Sequence, residues 1–102
     1  MSWRVVVRSD AQRDVAVAAQ WYEARQEGLG SEFREAVIKV LDELSDNPLL
    51  SCRQHPRKNI RWRYPQRFPY RVIYEVIDPE GLVVVAAVLH AARHDWQWKK
   101  RV

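Results

Sequence analysis

A predicted β-hairpin constrains the fold of this chain more than any other feature. Its strands run from Phe68 to Ile77 and from Leu82 to His90, and both are rich in apolar and β-branched residues. The four residues between them, Asp78-Pro79-Glu80-Gly81, have proline second and glycine fourth, as a type I turn favours. The second strand is apolar on both faces, so we expect it to lie centrally in a sheet and to be covered on both sides.

A strand and a helix are predicted before this hairpin. The alternating residues Trp3–Arg8 predict the strand. Ser9 and Gln12 have the spacing of a capping box, which predicts that a helix begins there, and Gly28 supplies a left-handed stop. The buried face of this helix follows an i, i+3, i+4, i+7 spacing and consists of Val15, Ala18, Ala19 and Tyr22.

A second helix and a third β-segment complete the predicted fold. The helix begins near Gly30-Ser31 and ends at Asn47-Pro48. A polar loop follows from Leu49 to Asn59, and strict alternation then predicts a strand over Ile60–Tyr64. The element order is β-α-α-β-β-β. It indicates an α+β domain in which a helical hairpin packs on a mostly antiparallel sheet. The core stripe of the second helix comprises Phe33, Val37, Val40, Leu41 and Leu44.

Length and composition are those of an ordinary globular protein. The 102 residues fit a single domain over 1–102, and 47% of them are hydrophobic while 29% are charged. The sequence has neither a long apolar run nor a signal-peptide pattern, so we expect a cytoplasmic protein that does not enter a membrane. Cys52 is the one cysteine of the sequence, which excludes an intramolecular disulfide.

Charge is distributed unevenly along the chain. The formal net charge is +4, but residues 10–47 carry −5 and residues 48–102 carry +7. The acidic residues fit the solvated faces of the two helices. The basic part favours an acidic or polyanionic partner, although a merely solubilising surface explains the composition equally well.

Four polar residues in or near the hairpin are candidates for chemistry. If the turn is regular and no bulge intervenes, Arg71 lies opposite Val88 and has His90 as a diagonal neighbour on the same face. An ion pair between Arg71 and Glu75 along one strand is the simple structural alternative. The candidate set, which applies if the protein is a nuclease, is Arg71, His90, Arg93 and His94.

These residue types suit metal-independent cleavage of RNA. A histidine can act as acid or base near neutral pH, and arginines can stabilise the charge of a phosphorane-like transition state. Binding through the same basic surface and a structural use of these side chains are alternatives. The sequence has no metal-ligand pattern, Gly-rich phosphate loop or Ser/His/Asp motif, so we expect neither a metal nor a cofactor.

A second set of basic and aromatic residues is suited to binding a nucleic acid or a protein target. Two arginines alternate with Ile60, Trp62 and Tyr64, so they share one strand face and could gather with Arg71. The C-terminal tryptophans stand beside basic residues, and they could instead clasp the domain. The set comprises Arg61, Arg63, Trp96, Trp98, Lys99, Lys100 and Arg101.

Several of these segments together resemble the RelE/ParE superfamily of toxins from bacterial type II toxin-antitoxin modules. The most specific are Phe68–Tyr74, with its Tyr-Arg-Val strand, and Val88–His94, with its His-x-x-Arg pattern. Gly28-Leu29-Gly30 between the helices and Asn47-Pro48 after the second helix also match. The resemblance is closest to the ParE-like, plasmid-stabilisation branch. It implies a toxin that a cognate antitoxin neutralises.

The resemblance leaves three functions open. RelE-like members cleave mRNA on the ribosome, and Arg71 resembles their strand arginine. ParE-like members inhibit DNA gyrase without cutting nucleic acid. The lysine-rich helix surface and the C-terminal tyrosine of active RelE nucleases have no match in this sequence, so the resemblance favours the ParE-like activity. An inactive homologue that binds only its antitoxin is the third alternative.

Overall fold

The computed structural model describes residues 3–93 and 95–102. Along the chain these residues form strand β1 (Arg4–Val7), helix α1 (Ser9–Arg25), helix α2 (Leu29–Asp46), strands β2 (Ile60–Arg63), β3 (Tyr70–Ile77) and β4 (Leu82–His90), and the short helix α3 (Trp96–Lys99). A 3₁₀ turn over Asp78–Glu80 joins β3 to β4. Within the described ranges, no helix has the length and apolar character needed to cross a membrane.

The strands form one mixed sheet in the order β1-β4-β3-β2. β4 pairs in parallel with β1 and antiparallel with β3, and β3 pairs antiparallel with β2. The predicted α+β class, the β-α-α-β-β-β order and the central position of β4 are therefore confirmed.

The two long helices cover one face of this sheet, which we call the helix side. The predicted stripe of α2 packs there: Leu41 is partly buried and its other members are buried, with Phe33 and Leu44 fully inaccessible to solvent. Burial of each such side chain contributes about 1.5–3 kcal/mol to stability. The strand residues on the helix side that pack against the two helices are Val72, Tyr74, Val76, Val83, Val85 and Val88.

The connection between α1 and α2 differs in detail from the sequence prediction. Ser9 is the first residue of α1 and does not cap it, because Arg8 occupies the cap position and no side chain bonds there. Gly28 is left-handed, with φ +86°, but it stands immediately before α2 rather than at the end of α1. The Glu23 carboxylate takes the capping role by accepting hydrogen bonds from the backbone N–H groups of Gly28 and Gly30, at 2.8 and 2.9 Å.

A β-bulge in β4 changes the register of the hairpin. Tyr74 pairs with Val85 but Ile73 pairs with Ala87, so Ala86 has no partner on β3. The extra residue reverses the alternation of side chains in the second half of β4. Consequently Arg71 lies opposite Leu89, and the prediction that it lies opposite Val88 is wrong.

The other face of the sheet, which we call the tail side, is covered by the end of the chain. Trp98 of α3 is 1% exposed and packs with Ile73, Ala87 and Leu89 from the sheet. Its ring lies 5.9 Å from that of Trp62, in an edge-to-face arrangement. The alternative prediction that the C-terminal tryptophans clasp the domain therefore holds for Trp98.

Candidate functional site

Arg71 is buried beneath the C-terminal segment on the tail side. Its residue exposure is 5%, and its guanidinium lies 4.7 Å from the centre of the Trp62 ring. Nη1 donates to Oδ1 of Asp95 and Nη2 donates to the carbonyl oxygen of Arg93, both at 3.0 Å. Its Nε has no hydrogen-bond partner among the residues that the structure describes. Arg71 thus ties β3 to the chain that follows β4.

Asp95 connects this arginine to the tryptophan that covers it. The same Oδ1 also accepts a hydrogen bond from the Trp98 indole nitrogen at 3.3 Å. The hydrogen bond from Arg71 is the main reason why the pKa of Asp95 is lowered, and the bond from Trp98 acts in the same direction. The ion pair between Arg71 and Glu75 that the structural alternative predicted does not form; the acid that pairs with Arg71 is Asp95.

His90 lies on the helix side, so the expected meeting of Arg71 and His90 does not occur. It pairs with Tyr70 across the strands, and the two rings stand 5.3 Å apart. The bulge explains the error, because the prediction assumed a hairpin without one. Nδ1 of His90 accepts the backbone N–H of Ala92 at 3.0 Å, which leaves Nε2 to carry the proton of the neutral ring. His94 lies outside the described residues.

A groove of about 540 Å³ opens beside His90, between α1 and the end of β4. We call it the helix-side groove. Burial raises the pKa of Tyr22, and the neighbouring Tyr70 raises it further. Burial also raises the pKa of Tyr70, against an opposing effect of Arg93. Both phenols therefore stay protonated at neutral pH. The polar and aromatic residues that line the groove are Arg13, Asp14, Trp21, Tyr22, Tyr70, His90, Arg93, Gln97 and Arg101.

Arg61 and Arg63 face the helix side, where they hold the loop that follows α2. Arg61 donates to the carbonyl oxygens of Leu49 and Ser51, and Arg63 donates to the carbonyl oxygen of Asn47. Both pair with β3 residues of the helix-side core, at Tyr74 and Val72. The expectation that they gather with Arg71 is wrong, because Arg71 points to the tail side.

The C-terminal members of the predicted binding set have different environments. Trp98 is buried, whereas Trp96 is 57% exposed and carries the Lys100 ammonium 4.5 Å from its ring centre. Lys99 is exposed. Arg101 is bound to Asp14 of α1 at 2.7 Å and also donates to the carbonyl oxygen of the bulged Ala86 at 3.2 Å. Trp96, Lys99 and Lys100 remain available as a surface group.

Sequence reasoning missed two parts of these arrangements. Asp14 was assigned to a solvated helix face, but it is mostly buried and accepts the Val88 N–H at 3.0 Å as well as the Arg101 bonds. The second part is the cross-strand pairing of Tyr70 with His90 on the helix side. The sequence offers one signal for Asp14. This acid directly precedes Val15, a residue of the predicted buried face of α1, and therefore lies at the border of that face. No local signal reveals the register that joins Tyr70 to His90.

Comparisons with known proteins agree with this fold. Residues 5–95 match the family model described as the ParE toxin of the type II toxin-antitoxin system, parDE. No curated protein matches the chain in sequence. Among solved structures, a mutant of the Escherichia coli toxin RelE in the free state superposes with a TM-score of 0.74 at 22% identity, over 100% of this chain and 99% of that chain.

A solved toxin-antitoxin complex and a solved toxin-antitoxin system are similar as well. A RelBE complex from Mycobacterium tuberculosis gives a TM-score of 0.65 at 22% identity, covering 88% of this chain and 99% of that chain. The chromosomal ParDE system of Pseudomonas aeruginosa gives 0.61 at 11% identity, covering 87% and 96%. Identities this low show a shared fold, while the family model spans most of the sequence. The chain belongs to the ParE toxin family, and so to the RelE/ParE superfamily of type II toxin-antitoxin toxins.

Proposed function

We propose that this toxin arrests growth by binding DNA gyrase and does not cleave RNA. The observation that carries the proposal is the burial of Arg71, whose guanidinium is held by Asp95 and the Arg93 carbonyl beneath Trp98. A nuclease of the predicted kind needs an accessible cation beside an acid or base. Arg71 is covered and His90 lies on the opposite face, so those two residues do not form such a site.

An inhibitor that acts by binding needs only a complementary surface. Residues 48–102 carry +7 and present Trp96, Lys99 and Lys100 at the chain end. Such a surface attracts an acidic partner and accelerates its association. The same positive charge supports neutralisation by a cognate antitoxin. Among the similar structures, RelBE is a toxin-antitoxin complex and ParDE is a toxin-antitoxin system.

Ribosome-dependent, metal-independent cleavage of mRNA is the second candidate. The observation in its favour is the placement of His90 and Arg93 around the helix-side groove, where Nδ1 of the histidine already accepts the Ala92 N–H. His90 could then act as acid or base and Arg93 could stabilise charge. Arg71 would have no direct part in this version. His94 retains its predicted role in it as an expectation from sequence.

The test is controlled expression of the chain in a bacterial host without an antitoxin. We expect growth arrest, induction of the DNA-damage response and intact transcripts, and we expect purified toxin to inhibit supercoiling by gyrase. Growth should return when the antitoxin encoded by the adjacent reading frame is co-expressed.

The alternatives predict different results in the same experiment. Cut transcripts that disappear in His90→Ala, but persist in the loop variant His55→Ala, would establish the nuclease and overturn the proposal. Normal growth with folded protein present would identify an inactive homologue that only binds its antitoxin.

A further inference from the structure

The floor of the helix-side groove presents hydrogen-bond donors that the protein itself does not use. Within residues 3–93 and 95–102, neither the Tyr22 nor the Tyr70 hydroxyl has a hydrogen-bond partner, although both line the groove. Their rings are fixed, since Tyr22 packs against Phe33 at 5.3 Å and Tyr70 against His90 at the same distance. The two donors are therefore held in place before any ligand arrives.

These donors suit an oxyanion. A protonated phenol donates one hydrogen bond, and the raised pKa values of both tyrosines keep them protonated. Arg93 stands at the same site, where its guanidinium donates to the Gln97 side chain at 2.9 Å. It forms no ion pair in the described part of the chain, whereas Arg13 and Arg101 in the same groove each approach an aspartate, Asp10 and Asp14.

One arginine without a counter-charge fits a single carboxylate better than a nucleic acid strand. A strand of nucleic acid is bound by several cations, each neutralising one phosphate. In this groove Arg101 is committed to Asp14 at 2.7 Å, and Arg13 extends into solvent. The arginine charge that remains in the groove is that of Arg93, an exposed lining residue, and a single acidic side chain would balance it.

The wall of the groove adds an apolar contact surface. Val17 and Trp21, one turn apart on α1, line it with exposures of 59% and 51%. The Arg25 guanidinium stacks 3.7 Å from the centre of the Trp21 ring and orients it. Exposed apolar side chains next to a polar site are typical of a protein-binding surface.

We infer that the helix-side groove binds a segment of a partner protein in which a Glu or Asp side chain adjoins a large apolar one. The carboxylate accepts hydrogen bonds from Tyr22 and Tyr70 and balances Arg93, and the apolar side chain packs on Val17 and Trp21. The inference rests on the proposed function in one respect, because it takes the partner to be a protein. Direct binding measurements keep its failure separate from a failure of gyrase inhibition.

The test uses the purified full chain and three short probes, followed by NMR of the Trp21 indole and the tyrosine rings. The probes are a blocked peptide containing Leu-Glu-Leu, the matched peptide containing Leu-Gln-Leu, and a thymidine dinucleotide. We expect the Glu peptide to bind about tenfold more tightly than the Gln peptide, because charge-assisted hydrogen bonds are the stronger ones. Equal binding of the two peptides, absence of binding, or tighter binding of the dinucleotide would each overturn the inference.

Variants assign the effect to the named side chains. Tyr70→Phe and Arg93→Gln should each remove most of the preference for the Glu peptide. Tyr64→Phe and Arg57→Gln, at exposed positions outside the groove, are the matched controls and should retain it. Thermal unfolding must show that the four variants are folded. A folded Arg93→Gln variant that keeps the full preference would contradict the role given to Arg93.

Discussion

Arg71 and Asp95 form an ion pair at 3.0 Å that joins a buried position in β3 to the exposed start of the C-terminal segment. The arginine side chain is 6% exposed and the aspartate side chain 47%. Burying a guanidinium without a counter-charge costs folding free energy. Because the arginine is the buried partner, the ion pair chiefly offsets the cost of burying Arg71. The finding gives Arg71 a structural role: it holds Trp98 against the sheet.

Asp95→Asn should lower the free energy of unfolding by about 1–2 kcal/mol, because a neutral amide oxygen replaces the charged acceptor of a buried donor. Urea denaturation measures this difference. Asp42→Asn, on the exposed surface of α2, is the control and should stay within about 0.5 kcal/mol of the parent. Equal stabilities of the Asp95→Asn variant and the parent would show that Arg71 does not depend on the charge.

The contribution of Asp95 should also depend on pH in a defined direction. Its pKa is lowered in the folded state, chiefly by the Arg71 hydrogen bond, so folding favours the carboxylate. That stabilisation is fully present above the unfolded pKa of about 4 and is lost as the pH falls through the lower folded value. The stability difference between the parent and Asp95→Asn should therefore be constant from about pH 5 to 7 and shrink below about pH 4. A difference that grows on acidification would contradict the assignment.

The Asp14–Arg101 pair should couple α1 to the chain end energetically. Asp14 accepts two hydrogen bonds from Arg101, at 2.7 and 3.3 Å, and one from the Val88 N–H. We expect Asp14→Asn to cost about 2 kcal/mol, and a double-mutant cycle with Arg101→Gln to give a coupling of about 1–2 kcal/mol. Urea denaturation of the four proteins supplies the cycle. Strictly additive effects would mean that the two side chains act independently.

The fold was predictable because its signals are local and repeated. The stripe of α2 and the Asp78–Gly81 turn each specify one element, and the element order then leaves few topologies. The arrangement of the candidate site was not predictable, because it depends on one residue. Ala86 forms a β-bulge, and the bulge places His90 on the helix side. Because β4 is apolar on both faces, its sequence pattern gives no sign of the bulge.

The partners of Arg71 could not be predicted from sequence patterns either. Period-two alternation relates Arg71 to Glu75 within a strand, but it cannot say how the segment after β4 folds back over the sheet. That return is set by long-range packing of Trp98 and Trp62. The ion pair with Asp95 follows from this packing.

Two glycines in the α1–α2 connection allow steric crowding by an added methyl group to be measured separately from backbone strain. A Cβ added at Gly30 would lie 2.6 Å from the backbone oxygen of Ala19, so the two helices would have to move apart. A Cβ at Gly28 meets nothing within 4 Å, and the cost there is that of the left-handed φ of +86°. We expect Gly28→Ala to lose about 1 kcal/mol and Gly30→Ala to lose at least about 2 kcal/mol of unfolding free energy. Urea denaturation decides the order, and a Gly28→Ala variant less stable than Gly30→Ala would show that helix packing tolerates the added methyl group.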